Sequence, residues 1–363
     1  MYNDKQNVDI SQNMNVKNEI NMRRHISGFD YLRAFFAILV VVWHAGGVSF
    51  LGKINPYLQN LVNIFYYNIC LLAVPVFFSI SLHLFYEKQL VSSTSFPRKK
   101  FMSLIRLYGI WMLIGIMFNS LLSRGNYLLT LLDVNNLLIT IVKGSRAELF
   151  FLFSLIIISY LCFCNSKYFL TRKHSLRTQL ILLLMSLLLL IFVSLYTLKT
   201  GTVVFSAYWN PICFIPYIFS ASILVLVNEN KESGLTKYFY ERKFLFVIIL
   251  IACFILSSWL EWQIFNAPSI FGGYLLPPYA RVSLVIGSFL ICYCAILYKG
   301  KSSNLIDELS QESLGIYLLH GYFLFLIGFL VSRLQTLQFF QVSVGIILAL
   351  LGLRGLMYNE LRI

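Results

Sequence analysis

An arginine and a histidine interrupt an otherwise apolar run, "FDYLRAFFAILVVVWHAG" (Phe29–Gly46). A charged side chain at the centre of a bilayer costs about 2.5–3.5 kcal/mol to insert, so such residues need a partner or a task. Arg33 and His44 are separated by eleven helical steps of about 100°, or three turns plus roughly 20°. They therefore share a face, about 16 Å apart along the axis. Asp30, three residues before Arg33, is spaced to pair with it or hold its orientation. A guanidinium in this setting can bind an anion, and an imidazole, with an ordinary pKa near neutrality, can accept a proton. A general base must be neutral, and burial favours the neutral form of an imidazole. Spacing alone leaves two plainer readings open: Arg33 can snorkel to headgroups, and His44 can hydrogen-bond between helices.

Other ionisable groups fall into three sets. His320, in "SLGIYLLHGYF" (Ser313–Phe323), lies one turn after Tyr317 and roughly 10 Å into its own apolar run. It reads either as support for the site or as packing. His83 is expected to snorkel at the end of its span, and His25 and His174 to be solvated in polar flanks. Arg98, Lys99 and Lys100 read either as a basic entrance or as ordinary positive-inside anchors, and Arg106 is the exception because it stands about a turn inside its span. On the opposite side, Glu261, Trp262, Tyr274, Tyr279 and Arg281 combine carboxylate, aromatic faces and guanidinium, as a sugar-binding surface would. An interfacial aromatic belt gives the same mixture. Glu148, at the start of its span, joins that set. The seven cysteines all fall in apolar spans, no CxxC occurs and the histidines are scattered. Neither a disulfide framework nor a metal centre is expected.

The elements that must position these residues follow from composition. The chain has 363 residues, 58% hydrophobic and 12% charged, with a mean hydropathy of +0.75. That is more apolar surface than a soluble core of this length can hide, so the fold class is an all-α polytopic membrane protein. About ten spans are expected, near 29–50, 60–86, 101–122, 147–164, 179–198, 209–227, 244–260, 281–298, 313–332 and 336–353. Each is long enough to cross about 30 Å of hydrocarbon. Counted on those spans, most of the 29 Lys and Arg gather on one side. The net charge of +14 is therefore topological rather than a nucleic-acid footprint, with both termini cytoplasmic in the cell membrane. Arg33 then lies near the cytoplasmic boundary and His44 beyond mid-membrane. Residues 1–28 read as a flexible cytoplasmic segment without a cleavable signal peptide, and 29–363 as one membrane domain. The inner loops 87–100, 165–178, 228–243 and 299–312 read as short, polar and basic. Residues 123–146 read as an amphipathic helix at the outer surface.

The motif "DYLRAFFAILVVVWH" resembles the opening of the membrane-bound acyltransferase family 3, integral-membrane O-acyltransferases that modify bacterial surface glycans. Arg33 and His44 match its R-x10-H pattern. "SLGIYLLHGYF" resembles the family's late helix through Ser313, Gly315, Tyr317 and His320. "VPVFFSISLHLF" (Val74–Phe85) resembles its FF-x-x-S-G-Y motif, with Leu82 for the glycine and His83 for the aromatic. "ELFFLFSLIIISYL" (Glu148–Leu161) resembles its W-F motif, with phenylalanine for tryptophan. The pieces run in family order from about residue 27 to 353. One departure is "FPRKKFMSLIRLYGIW": the family's R-x-x-R keeps its second arginine as Arg106, while Ser103 stands at the first.

The resemblance implies an acyl-CoA co-substrate, usually acetyl-CoA, entering from the cytoplasm, with no permanently bound cofactor. It also implies an acceptor hydroxyl on a cell-envelope glycan or lipid-linked sugar. On that reading Arg33, Arg106, Arg98, Lys99 and Lys100 bind the donor's phosphates, and the pantetheine arm spans the distance to His44. His44 is the general base, His320 supports the site or the thioester oxygen, and Asp30 orients Arg33. Glu261, Trp262, Tyr279, Arg281 and Glu148 face the acceptor. The competing class is a transporter or flippase of a glycan or lipid-linked intermediate, which also buries charges among many spans. Pro75 and Pro216 fall within spans, but no matched pair of broken helices appears in two halves. The acceptor's identity, the acyl length and the oligomeric state are not written in the sequence.

Overall fold

A computed structural model describes residues 25–46, 55–91, 96–170, 175–229, 237, 240–265 and 277–331, and every regular element among them is a helix. We number the main helices α1 (Ser27–His44), α2 (Pro56–Ile64), α3 (Ala73–Val91), α4 (Phe96–Leu122), α5 (Asn126–Thr130) and α6 (Val134–Lys143). They are followed by α7 (Phe150–Asn165), α8 (Ser175–Thr200), α9 (Ile215–Glu229), α10 (Lys243–Ile264), α11 (Val282–Leu297) and α12 (Asn304–Val331). Seven stretches among the described residues are long and apolar enough to cross a membrane: Ser27–His44, Tyr57–Gln89, Pro97–Leu122, Phe150–Tyr168, Ser175–Thr200, Pro211–Asn228 and Lys243–Ile264. Helix α11 is apolar but shorter, and α12 carries acidic residues in its first turns. The tenth expected span, 336–353, and residues 1–24 lie outside the described residues.

The helices sort by what surrounds them. Helix α3 is buried almost throughout and forms the centre, where Phe78 stacks on Phe214 at 4.3 Å and packs edge-on against Phe151 at 4.9 Å. Helix α10 buries almost nothing fully and is exposed along one broad face, with Ile248, Ile255, Leu256 and Trp259 facing outward. So broad an apolar surface belongs in lipid. Where apolar packing alone would leave helices free to slide, polar side chains fix their register. Asn165 donates to Tyr86 Oη at 2.7 Å and to Gln179 Oε1 at 3.1 Å, and Ser222 Oγ donates to Gln179 Oε1 at 2.8 Å, joining α3, α7, α8 and α9.

Two expectations change and a third is kept. The single span over 60–86 is α2 and α3 joined through a π turn at Phe65–Ile69 and a 3-10 turn at Cys70–Leu72. The whole run is longer than about 20 residues, the length of one straight crossing. The expected loop at 299–312 is largely helical, because α12 begins at Asn304, where Ser303 accepts a hydrogen bond from Ile306 N–H at 3.4 Å. Asp307, Glu308 and Glu312 are polar but compatible with a helix, so polarity there marked the apolar boundary rather than the helix boundary. The segment 123–146 does hold surface helices: α5 and α6 bury nothing, and ten residues of α6 rise only about 15 Å.

Candidate active site

Helix α1 packs most extensively on α12, and the two run parallel. At one end Ser310 Oγ donates to Asp30 Oδ1 at 2.8 Å. In the middle, Ala37 and Val41 meet Ile316, the small residues letting the helices approach closely. At the other end the rings of His44 and His320 face each other with centroids 4.8 Å apart and planes at 51°. Two residues far apart in sequence are thus brought together by one helix pair. Their environments differ: His44 is exposed, whereas His320 is buried at 1%. His320 Nδ1 lies 2.6 Å from the Tyr317 carbonyl oxygen. A carbonyl can only accept, so Nδ1 carries the proton and Nε2 keeps its lone pair. That Nε2 is buried with no hydrogen-bond partner.

A second wall comes from the turn before α7. Glu148, in the 3-10 turn Ala147–Leu149, is 7% exposed, and its Oε2 lies 3.7 Å from Arg146 Nε. Both are electrostatic neighbours of His44. The turn is tied to α4: Ser145 Oγ donates to Met112 O at 3.1 Å and Asn119 Nδ2 to Ser145 O at 2.7 Å. The Arg146 guanidinium lies over the rings of Tyr322 and Phe118, 5.0 and 5.5 Å from their centroids. Gly321 is what allows Glu148 to reach α12, since a Cβ there would overlap Oε1 and lie 2.7 Å from Cδ. Glu148 Oε2, Arg146 Nε, His320 Nε2 and Tyr322 Oη are all buried without hydrogen-bond partners. Buried polar groups are normally hydrogen-bonded, and here Arg146 Nε and Glu148 Oε2 have only their own 3.7 Å ion pair, so this corner beside the histidines holds unused hydrogen-bonding capacity. Nearby, Tyr208 packs on Phe150 at 5.2 Å. Burial first, and the Glu148 charge second, raise its pKa above the ordinary value, keeping the phenol neutral.

The cationic set divides. Arg33, half-buried on α1, and Lys88 of α3 are both electrostatic neighbours of Lys100 on α4. Among the described residues none of these three has a carboxylate within ion-pair distance. Arg98 and Lys99 stand exposed beside Lys100. Arg106 is exposed too, and six residues beyond Lys100 it points about 120° away. Asp30 makes no ion pair with Arg33: its second oxygen lies 2.9 Å from His25 Nε2. His83 does not snorkel. It is fully buried, edge-on to Phe29 at 5.1 Å and 3.3 Å from Glu87 Oε1, because Phe29 and α3 close over it.

Of the residues expected to face an acceptor, Glu261, Trp262 and Arg281 are brought together in one buried network, whereas Glu148 stands beside the histidine pair. Arg281 is 1% exposed; it donates through Nε to Glu261 Oε2 at 2.8 Å, Nη1 to Tyr67 O at 2.6 Å and Nη2 to Asn68 Oδ1 at 2.5 Å. Glu261 Oε1 accepts from Ser283 N–H at 2.9 Å, near the start of α11. Trp262 Nε1 donates to Asn68 at 3.4 Å. The network holds the π turn, a place where backbone carbonyls lose their helical partners, against α10 and α11. Tyr279 is buried among Phe150 and Phe214. Tyr274 lies outside the described residues. The sequence did not single out Arg146, Tyr322 or Gly321, although an Arg-x-Glu pair before an apolar run and a glycine beside His320 were visible signals.

A family model described as an acyltransferase domain matches residues 26–354. Comparison with curated proteins and with solved structures finds no match.

Proposed function

The chain belongs to the acyltransferase 3 family, and from that premise we propose that it transfers an acyl group, acetyl foremost, from cytoplasmic acyl-CoA to a hydroxyl of a cell-envelope glycan or lipid-linked sugar. The proposal includes about ten spans in the cell membrane, with both termini cytoplasmic. One observation carries it: a histidine pair, with His320 Nε2 and the nearby Arg146 Nε, Glu148 Oε2 and Tyr322 Oη all buried without hydrogen-bond partners, lies about 16 Å along α1 from a set of cations that make no ion pair. That spacing suits a donor whose phosphates stay at the surface while its thioester reaches the pair.

In this reading Arg33, Lys88 and Lys100 hold the donor's phosphates by charge-assisted hydrogen bonds, with Arg98 and Lys99 adding to the local field. Arg106 steers rather than contacts. His44, the accessible imidazole, takes the proton of the acceptor hydroxyl as its oxygen attacks the thioester carbonyl. The C–S bond then breaks, and the CoA sulfur leaves with the proton returned from His44. The Glu148 carboxylate favours the imidazolium that forms between those steps, and His320, its lone pair fixed on Nε2 by the Tyr317 carbonyl, offers an acceptor beside the reacting groups. Arg146 Nε and the Tyr322 hydroxyl donate to oxygens of the acceptor, and Glu148 accepts from a neighbouring hydroxyl. Asp30 fixes α1 against α12 through Ser310, which sets the His44–His320 register. Glu261, Trp262 and Arg281 act from behind, holding the π turn on which Trp43 packs through Tyr66 and Tyr67.

The transporter alternative draws on the broken run at 65–72, but there the Tyr67 carbonyl is bound by Arg281 rather than open to a passing solute. The test is thiol release from acetyl-CoA by the purified protein in lipid, supplied with envelope glycans. Wild type should turn over and His44→Ala should lose at least a hundredfold in kcat, within the range of general-base removal. Equal turnover in the two proteins would remove His44 as the base, and absence of turnover in both would favour transport.

A further inference from the structure

Away from the histidine pair, at the N-terminal ends of α1 and α12, His25, Asp30 and Asp307 each offer one ligand-capable atom within 4.8 Å of the other two. Asp30 is 8% exposed, and only its Oδ1 receives a hydrogen bond, from Ser310. Asp30 Oδ2 and Asp307 Oδ1 are both buried and accept none. His25 Nε2 lies 2.9 Å from Asp30 Oδ2, yet without the N–H alignment of a hydrogen bond. Adjacent ligands at right angles around a cation, with bonds of about 2.1 Å, stand about 3 Å apart, so this imidazole and carboxylate already have the spacing of two corners of a coordination shell.

Two carboxylates this close, each with a buried oxygen lacking a donor, repel each other unless a positive charge stands between them. Arg33 acts on Asp30 electrostatically but forms no ion pair with it, and His25, 2.9 Å from Asp30, supplies a positive charge only when protonated. We propose that His25, Asp30 and Asp307 form a divalent-cation site that joins the start of α1 to the start of α12. Two carboxylates and an imidazole favour a first-row transition ion such as Mn²⁺ or Zn²⁺ over Mg²⁺ or Ca²⁺, which prefer oxygen alone. The exposed side of His25 leaves room for water to complete the shell. The site would fix one end of the helix pair whose other end sets His44 against His320. It stands independently of the acyl-transfer reading.

The experiment is a Mn²⁺ titration of the full chain in lipid nanodiscs after chelator treatment, following loss of the free-ion EPR signal. The wild type should take up one Mn²⁺ per chain, and its thermal unfolding midpoint should rise with Mn²⁺. Asp307→Asn, which keeps the side chain's shape, and His25→Ala, at an exposed position, should each weaken uptake at least tenfold and abolish the thermal shift. No uptake up to about 1 mM free Mn²⁺, the weak end of known carboxylate sites, would overturn the proposal and assign the carboxylate pair a shared proton instead. Unchanged uptake in both variants would overturn it equally.

Discussion

Replacing Gly321 with alanine tests whether the Glu148 carboxylate works where the fold holds it. Gly321 is mid-helix in α12, so the backbone accepts alanine, and helix propensity favours it by about 0.8–1.0 kcal/mol. The added Cβ would stand 2.7 Å from Glu148 Cδ, where carbon–carbon contact needs about 3.5–4.0 Å. The carboxylate must therefore retreat by about 1 Å. Overpacking of this kind costs about 1–3 kcal/mol, so propensity offsets much of it and the protein should lose at most about 2 kcal/mol of stability. Activity should respond far more. A misplacement of about 1 Å in a catalytic setting costs on the order of a hundredfold in rate, or about 2.7 kcal/mol in the barrier.

The assay is thiol release at saturating acetyl-CoA, with the unfolding midpoint measured in the same lipid. The donor KM should not move, because the cations lie about 16 Å away along α1. Adding Glu148→Asp to Gly321→Ala, which shortens the clashing side chain by one methylene, should recover part of the rate. Wild-type kcat in Gly321→Ala would refute the reasoning, since the carboxylate would then be free to leave His44 without consequence.

Other outcomes follow from the same geometry. Arg33→Ala and Lys100→Ala should each raise the donor KM roughly tenfold or more at low salt, from the loss of about 1.5–3 kcal/mol per charge-assisted hydrogen bond, while kcat changes little. The effect should shrink as ionic strength rises, and a fall in kcat alone would argue against phosphate contact. Arg281→Met leaves Glu261 without its partner beside a hydrogen-bonded core, so stability should fall by about 3–5 kcal/mol, read as a lowered midpoint and a smaller monodisperse fraction in detergent. An unchanged midpoint would mean that the π turn holds without the Arg281 network.

The R-x10-H spacing was legible because a helix has a fixed period. Once Arg33 and His44 fall on one α-helix, their shared face and separation follow from the geometry of the repeat. His320 was legible as an oddity, an imidazole in an apolar run, but nothing local told which helix it meets. His83 shows the reverse. By sequence it belonged at a membrane boundary, and only the packing of Phe29 against α3 buries it. Glu261 and Arg281 had the composition of a sugar-binding surface. The same composition serves a structural network when the partners are one another, and side-chain type cannot distinguish these outcomes.

What the sequence determined by itself was the class and the frame: an all-helical chain, apolar runs of membrane length, and a basic end separated from a histidine along one helix. Those properties are local or summed along the chain, so they need no knowledge of neighbours. Tertiary structure alone decided what surrounds the histidines. It placed His320 opposite His44, folded the Arg146–Glu148 turn over them and used Gly321 to admit the carboxylate. Each of these depends on the register between α1, α4, α12 and the turn before α7. That register is set by close approach and hydrogen bonding between segments remote in sequence, which periodicity within a single helix does not encode.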